Sequence, residues 1–378
     1  MVDPEPVNAP ASLPIYQAAG WVFRDLDEVD AVYEARARGV VYGGSGSPNH
    51  WALEAALCRL HGAEAALVTA AGMSAFTALL LSAGRSGTCV AAADGLYGNT
   101  THLLRDFEKF GIVVRLVDPA QPEAARTALA QPGDILIIET ISNPRIQVAD
   151  VARLASVAHD RGALVVVDNS LASPYHCKPL DLGADAVIES ITKFMGGHHD
   201  LVLGCLLGSS ALIEAARTVA RRAGLSGPAF ETWLATRSLP ELELRLTRSS
   251  ASALAIAQWL EQQPPIRAVR YPGLPSSANH ETARRTLRNG FGSVLSFELA
   301  PERAAVNNFV RALERVRLVL SFGGTETTVS HPGTSSHRAL SADERQRLGV
   351  HDGFMRLSVG IEETADIISD LARGLNAL

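Results

Sequence analysis

A lysine amine becomes a useful nucleophile near neutral pH only where desolvation or nearby positive charge removes its proton. The run Ser190-Ile191-Thr192-Lys193-Phe194 sets a lysine directly behind the apolar stretch Ala186–Glu189, at the end of a candidate buried strand. Ser190 and Thr192 are spaced to point to one side, where two hydroxyls suit a phosphate. About twenty residues earlier, Asp168 ends the apolar run 164–167. An acid there lies at the rim where open α/β sheets bind ligands. A third segment, Ala70-Ala71-Gly72-Met73-Ser74, joins a strand candidate to an apolar helix. Its small residues let an anion approach the free N–H groups and positive dipole of the helix start. Each piece alone has an ordinary reading, as a solvated lysine, a capping aspartate or a tight turn. Their combination is what points to a site. The neighbouring His198 and His199 do not suggest a metal, because adjacent positions rarely converge on one ion and no Cys or second His lies at ligand spacing.

Positioning these groups takes strands buried on both faces. Valine- and isoleucine-rich runs occur at Ala65–Thr69, Cys89–Ala93, 112–117, Ile135–Glu139, 164–167, Ala186–Glu189 and 201–207. Helical patterns lie between them, at 51–60, 100–110, 122–130 and 151–161. The alternation predicts a largely parallel α/β sheet with helices on both sides. From about residue 239 the texture changes, with a long helical stretch at 241–262 and strand candidates at 268–271, Val294–Glu298 and 355–359. The expected division is an extension over 1–43, a large α/β domain over 44–238 and a smaller α+β domain over 239–378.

Composition narrows the class. With 378 residues, two packed domains are the expectation. An apolar fraction of 47% against 20% charged residues fits large cores and subunit interfaces. A net charge of −6 gives no electrostatic case for nucleic acid or anionic membrane. No apolar run approaches the roughly 18–20 residues of a bilayer span, and the proline-rich, acidic start has no signal-peptide pattern. Cys58, Cys89, Cys177 and Cys205 are scattered, as suits free thiols in a reducing compartment. A cytoplasmic protein is expected.

The ordered set of motifs resembles the cysteine/methionine metabolism family of pyridoxal-phosphate enzymes, which includes cystathionine γ-synthase, cystathionine γ-lyase and methionine γ-lyase. It comprises Asp168, Ser190-x-Thr192-Lys193 with its Gly-His-x-Asp continuation, Ala71-Gly72-Met73-Ser74, Leu96-Tyr97-Gly98, Glu139-Thr140-x-x-Asn143-Pro144, Leu180-x-Leu182-Gly183-Ala184-Asp185 and Arg356-Leu357-Ser358-Val359-Gly360. The resemblance covers nearly the whole chain. It implies the aspartate-aminotransferase-type fold (fold type I), pyridoxal 5'-phosphate as cofactor and a homotetramer built as a dimer of dimers. It also implies roles. Lys193 forms the Schiff base and moves protons, Asp168 keeps the pyridine nitrogen protonated, and Tyr97 stacks on the ring. Gly72, Met73, Ser190 and Thr192 bind the phosphate, while Asn143 and Arg356 take the substrate carboxylate. Ser321 and Leu320 lie in the substrate-side loop, and Tyr42 acts in the neighbouring subunit's site.

Two departures bear on function. The family's Tyr-x-Arg is here Tyr42-Gly43-Gly44, so an arginine contact to phosphate is missing, with Arg36 or Arg38 as nearby substitutes. Leu320 stands where cystathionine-handling members often carry glutamate, whereas Asn99 replaces a cysteine common in methionine γ-lyases. Gly324-Thr325-Glu326-Thr327 and His331-Pro332 again resemble the methionine γ-lyases. The leading expectation is α,γ-elimination of L-methionine or L-homocysteine to a thiol, ammonia and 2-oxobutanoate. The alternative is cystathionine γ-lyase or γ-synthase chemistry. A non-catalytic relative is a remote third reading, against which Lys193, Asp168, Tyr97 and Arg356 together argue.

Overall fold

Strands that are apolar on both faces have to be covered on both faces, and the computed structural model covers them with helices, except over 113–117, an edge strand where Val113, Arg115 and Leu116 stay exposed instead of being buried on both faces as expected. It describes residues 8, 10–338, 341, 345 and 348–378. The first half runs α1 (Leu26–Tyr33), α2 (Pro48–His61), β1 (Ala65–Thr69), α3 (Gly72–Ala83), β2 (Cys89–Ala93), α4 (Gly98–Glu108), β3 (Val113–Val117), α5 (Pro122–Ala128), β4 (Ile135–Glu139), α6 (Val151–His159), β5 (Leu164–Asp168), the single turn α7 (Ser173–His176), β6 (Ala186–Glu189) and β7 (Gly204–Gly208). These strands form a seven-stranded sheet in the order β1-β7-β6-β5-β4-β2-β3. All pairings are parallel except those of β7, which runs antiparallel to both β1 and β6.

The expected run 201–207 therefore yields a strand only from Gly204. Residues just before it are tied to the lysine turn instead, with the Leu203 N–H donating to Thr192 Oγ1 at 3.0 Å. Gly204 is required where it stands. A Cβ there would collide with the Ala71–Gly72 peptide, so its absence lets β7 pass beneath the start of α3.

After α8 (Ser210–Ala223), α9 (Ala229–Ser238) and the long α10 (Leu242–Leu260), the chain builds a second sheet from β8 (Ala268–Arg270), β9 (Val294–Glu298), β10 (Arg317–Leu318), β11 (Thr328–Ser330) and β12 (Phe354–Ser358). Its order is β10-β11-β12-β9-β8, antiparallel except for β10 with β11. Helices α11 (His280–Thr286), α12 (Arg303–Ala312) and α13 (Thr364–Asn376) complete this part, with α10 and α12 both packed on α13. Each sheet has its own apolar core. One core joins the central strands to α2, α3, α6 and α8, and the other centres on Phe297, Phe309, Leu357 and Leu371. The architecture is the expected α/β fold, a large mostly parallel sheet plus a smaller sheet domain. Among the described residues no helix is long and apolar enough to cross a membrane. All four cysteines are free thiols, and Cys58 is the one that is only partly buried.

Candidate active site

The C-terminal ends of β4, β5 and β6 lie side by side, and each delivers a functional group. Glu139 and Asp168 are direct register partners at the ends of β4 and β5, and the turn after β6 carries Lys193. The start of α3 closes in from beyond β7. Its N-cap, Ala71, is extended and offers no side-chain cap, so the first N–H groups of the helix are left for another acceptor. Gly72 approaches the Ser190 backbone so closely that a Cβ would sit 3.3 Å from Ser190 Cβ. These elements border a cavity of 880 Å³ lined by Gly72, Met73, Tyr97, Asn143, Asp168, Ser190, Thr192, Lys193, Leu320 and Arg356.

Lys193 Nζ donates to Ser321 Oγ at 2.9 Å and lies 4.9 Å from the centre of the Phe322 ring. Burial, helped by the Arg356 charge, brings its amine down from 10.5 to about 8. Arg356 is only 4% exposed. Its Nη1 donates to Asn143 Oδ1 at 2.8 Å and its Nη2 to the Ser321 carbonyl at 3.2 Å, while Nε is buried without a partner. Burial pulls the guanidinium down to about 10. Because Arg356 also lines the cavity, that donor is open to an acceptor entering from outside the chain.

Asp168 accepts from the Ser170 N–H at 2.9 Å, and burial raises its carboxyl above the ordinary aspartate range. Glu139 rises further, to about 8, through burial first and then the neighbouring Asp168. No role had been assigned to Glu139 from the sequence, where it is only the first letter of a motif. Its oxygens accept the backbone N–H groups of Tyr97 at 2.8 Å and Asn143 at 3.1 Å, so one carboxyl fixes two loops that border the cavity. The signal was present in the spacing, since Asn143 follows four residues behind an acid at a strand end.

Thr192 Oγ1 donates to the Leu203 carbonyl at 3.1 Å, so it must release that bond before it can donate to a ligand. Among the described residues the Ser190 hydroxyl has no hydrogen-bond partner, although the Ser190 N–H donates to Ser170 Oγ. Tyr97 is exposed at the cavity mouth, with Asn99 Nδ2 donating to its hydroxyl at 3.1 Å. Tyr42 is not brought to the cavity of its own chain. It is 59% exposed and bridges Gly20 instead.

Over residues 3–376 the sequence matches the family described as Cys/Met metabolism PLP-dependent enzyme. The chain belongs to this family. It is 38% identical over 366 residues to the O-succinylhomoserine sulfhydrylase of Pseudomonas aeruginosa, covering 96% of this chain and 90% of that protein. With the L-methionine gamma-lyase of Pseudomonas putida it shares 33% identity over 378 residues, covering 99% and 95%. The structure of cystathionine gamma synthase from Xanthomonas oryzae pv. oryzae, in complex with aminoacrylate and cysteine, superposes with a TM-score of 0.91 at 33% identity, covering 97% of this chain and 94% of that one.

The family's cofactor is pyridoxal phosphate, and the donor set of this enzyme fits it. An uncapped glycine helix start faces a free serine hydroxyl, a buried strand-end carboxylate lies apart from it, and a desolvated lysine amine opens on the same cavity. An anion, a ring nitrogen cation and a carbonyl carbon each find a complementary group.

Proposed function

We propose that this enzyme is a carbon–sulfur lyase that carries out α,γ-elimination of L-methionine or L-homocysteine, consuming one water and releasing a thiol (hydrogen sulfide in the case of homocysteine), ammonia and 2-oxobutanoate. When bound, pyridoxal phosphate supplies the electron sink that makes the substrate's α-proton acidic. Lys193 would carry it covalently and, once displaced by substrate, move protons at Cα and Cβ, with Ser321 Oγ holding Nζ in place. Asp168 would face the pyridine nitrogen, where a carboxylate favours the protonated ring. Tyr97 would cover the ring face. The N–H groups at Gly72 and Met73, with the Ser190 and Thr192 hydroxyls, would hold the phosphate. Arg356, through its unpaired Nε, and Asn143 would hold the substrate carboxylate.

The reading of the substrate side chain rests on Leu320, which lines the cavity and is 66% exposed. Among the described lining residues the only carboxylates are Glu139 and Asp168, both buried at the strand ends. An apolar wall suits a methyl thioether and offers nothing to the distal ammonium of cystathionine. A second reading, γ-replacement or cystathionine chemistry, is favoured by Arg338, a cation that also lines the cavity. It suits a leaving group or nucleophile that ends in a carboxylate.

One product assay separates the two. Methionine or homocysteine is expected to exceed cystathionine in kcat/KM, and Leu320→Glu to narrow the gap by roughly 5- to 150-fold, the worth of one charge partner of about 1–3 kcal/mol. If O-succinylhomoserine with cysteine is turned over best, giving cystathionine, and Arg338→Gln lowers that reaction alone, the second reading holds.

In the same reading, the extension over 1–43, of which 1–7 and 9 lie outside the described residues, would contact a neighbouring subunit, 44–238 would bind the cofactor and 239–378 would complete the substrate side, within a dimer of dimers. Tyr42 would then serve the neighbour's site, in keeping with its exposure here. Hybrids of Tyr42→Ala and Lys193→Ala subunits, formed by mixing the two inactive variants, should regain activity in the sites that combine one intact residue from each chain. Hybrids that form yet stay inactive would rule out this use of Tyr42.

A further inference from the structure

Lys193 belongs to no helix or strand, so something else must fix the backbone that aims it. Part of the turn is self-bonded, with Lys193 N–H donating to Ser190 O, Gly196 N–H to Ile191 O and Gly197 N–H to Lys193 O. The two carbonyls immediately after the lysine, on the buried residues Phe194 and Met195, are reached differently. Arg245, on α10, donates to them from Nη1 at 2.7 Å and Nη2 at 3.4 Å, and Nη2 also reaches Ser238 O at 3.2 Å. No backbone N–H is bonded to either carbonyl among the described residues.

The guanidinium is nearly enclosed, and Glu241, 3.6 Å from its Nε, is its counter-ion. The same Glu241 oxygen lies 3.1 Å from Nε2 of His198, whose Nδ1 bonds Gly196 O at 2.9 Å. Gly197 adopts φ +76° and leaves the space that Arg245 fills, because a Cβ there would collide with Nη1. Across the lysine, Gly323 presses on its backbone at a distance that would bring a Cβ within 2.9 Å of the Lys193 carbonyl carbon, and Ser321 from that loop receives Nζ.

We propose that Arg245 is a positioning residue for Lys193: its rigid fork replaces the hydrogen-bond ladder that the turn after the lysine lacks. The lysine comes from the large sheet, but both of its supports come from the chain beyond Leu239. A lysine at 245 could present a point charge to one carbonyl and not a planar set of donors to three. This role rests on Lys193 carrying the cofactor, which adduct mapping tests separately.

The experiment compares Arg245→Lys and Arg245→Ala holoenzymes with the parent in kcat, KM, thermal midpoint and the pH midpoint of the cofactor's visible band. A misplacement of the order of an ångström costs up to roughly 100-fold in rate. The expected result is a kcat lowered about 10- to 100-fold with KM little changed, together with a displaced pH midpoint. Millimolar guanidinium should recover part of the kcat of Arg245→Ala. A purely structural arginine would lower the thermal midpoint and leave kcat per bound cofactor and the pH midpoint at parental values, and that result overturns the proposal. Should neither variant fold, Gly197→Ala reads the same contact, since its Cβ displaces Nη1 without removing a charge. Parental kcat and pH midpoint in folded Gly197→Ala would overturn it equally.

Discussion

Lys193→Ala is expected to lose turnover by at least about 10³-fold, because in the proposed reading the residue that would move the substrate's protons goes with the cofactor anchor. The loss should exceed that of any single phosphate contact, since those contacts share their load among backbone and hydroxyl donors. Borohydride treatment of the parent holoenzyme should fix the cofactor to the peptide containing Lys193, and mass mapping of the adduct to any other lysine would end this assignment. The structure adds a pH dependence for cofactor uptake by the apoprotein. A neutral amine is the nucleophile, so the reactive fraction grows as pH rises through the lysine's own value. Burial and Arg356 hold that value at about 8 rather than 10.5. The rate of cofactor uptake should therefore rise with pH and level off above about 8. A rate still climbing steeply toward 10.5 would mean that the amine is not desolvated.

The fold was legible where a strand is apolar on both faces. Ala65–Thr69, Cys89–Ala93, Ile135–Glu139, Ala186–Glu189 and Val294–Glu298 form as expected, residue for residue. Direction was not legible. A doubly buried strand shows the same residues whichever way it runs, so the antiparallel β7 leaves no trace in a periodicity. β10 and β11, of two and three residues, are too short to show a period. Asp168, Lys193 and the Gly72 helix start were legible because each ends or follows an apolar strand or opens a helix. Arg356, inside β12, and Leu320, in a loop, were reached only through the family resemblance. Arg245 was not legible, since the Phe194 and Met195 carbonyls that tie it to the lysine turn lie about fifty residues away in the chain.

Gly44 illustrates the difference between a motif position and its surroundings. From the sequence it is a missing arginine. In the structure a Cβ at this position would come within 2.6 Å of Tyr42 Cε1, so any side chain there moves the Tyr42 ring. Nor does Arg38 stand free as a substitute, because its guanidinium lies 4.3 Å over the Trp51 ring. The glycine thus leaves room for this orientation of the tyrosine, and in the proposed reading the phosphate contacts within this chain would fall to the α3 start and the strand-end hydroxyls.

Arg356→Gln should cost about 10²- to 4 × 10³-fold in kcat/KM, the equivalent of the 3–5 kcal/mol lost when one partner of a buried charge pair is removed. The arginine is enclosed, two of its nitrogens are occupied by Asn143 Oδ1 and the Ser321 carbonyl, and its Nε is left over. That geometry has two consequences. A substrate carboxylate gains a cation whose orientation is already fixed, so little rotamer entropy is lost on binding. The same cation also helps to keep Lys193 neutral, so its removal acts on the amine as well as on the substrate. Without it, the lysine pKa rises from about 8, and the pH profile for cofactor uptake by the apoprotein moves upward with it. Arg356→Lys keeps the charge and loses the planar pair of donors. It should restore much of the pH profile while leaving substrate affinity weak. If Arg356→Gln instead changes only the pH profile and leaves the KM for every amino-acid substrate untouched, the carboxylate is held elsewhere, and Arg356 serves Lys193 alone.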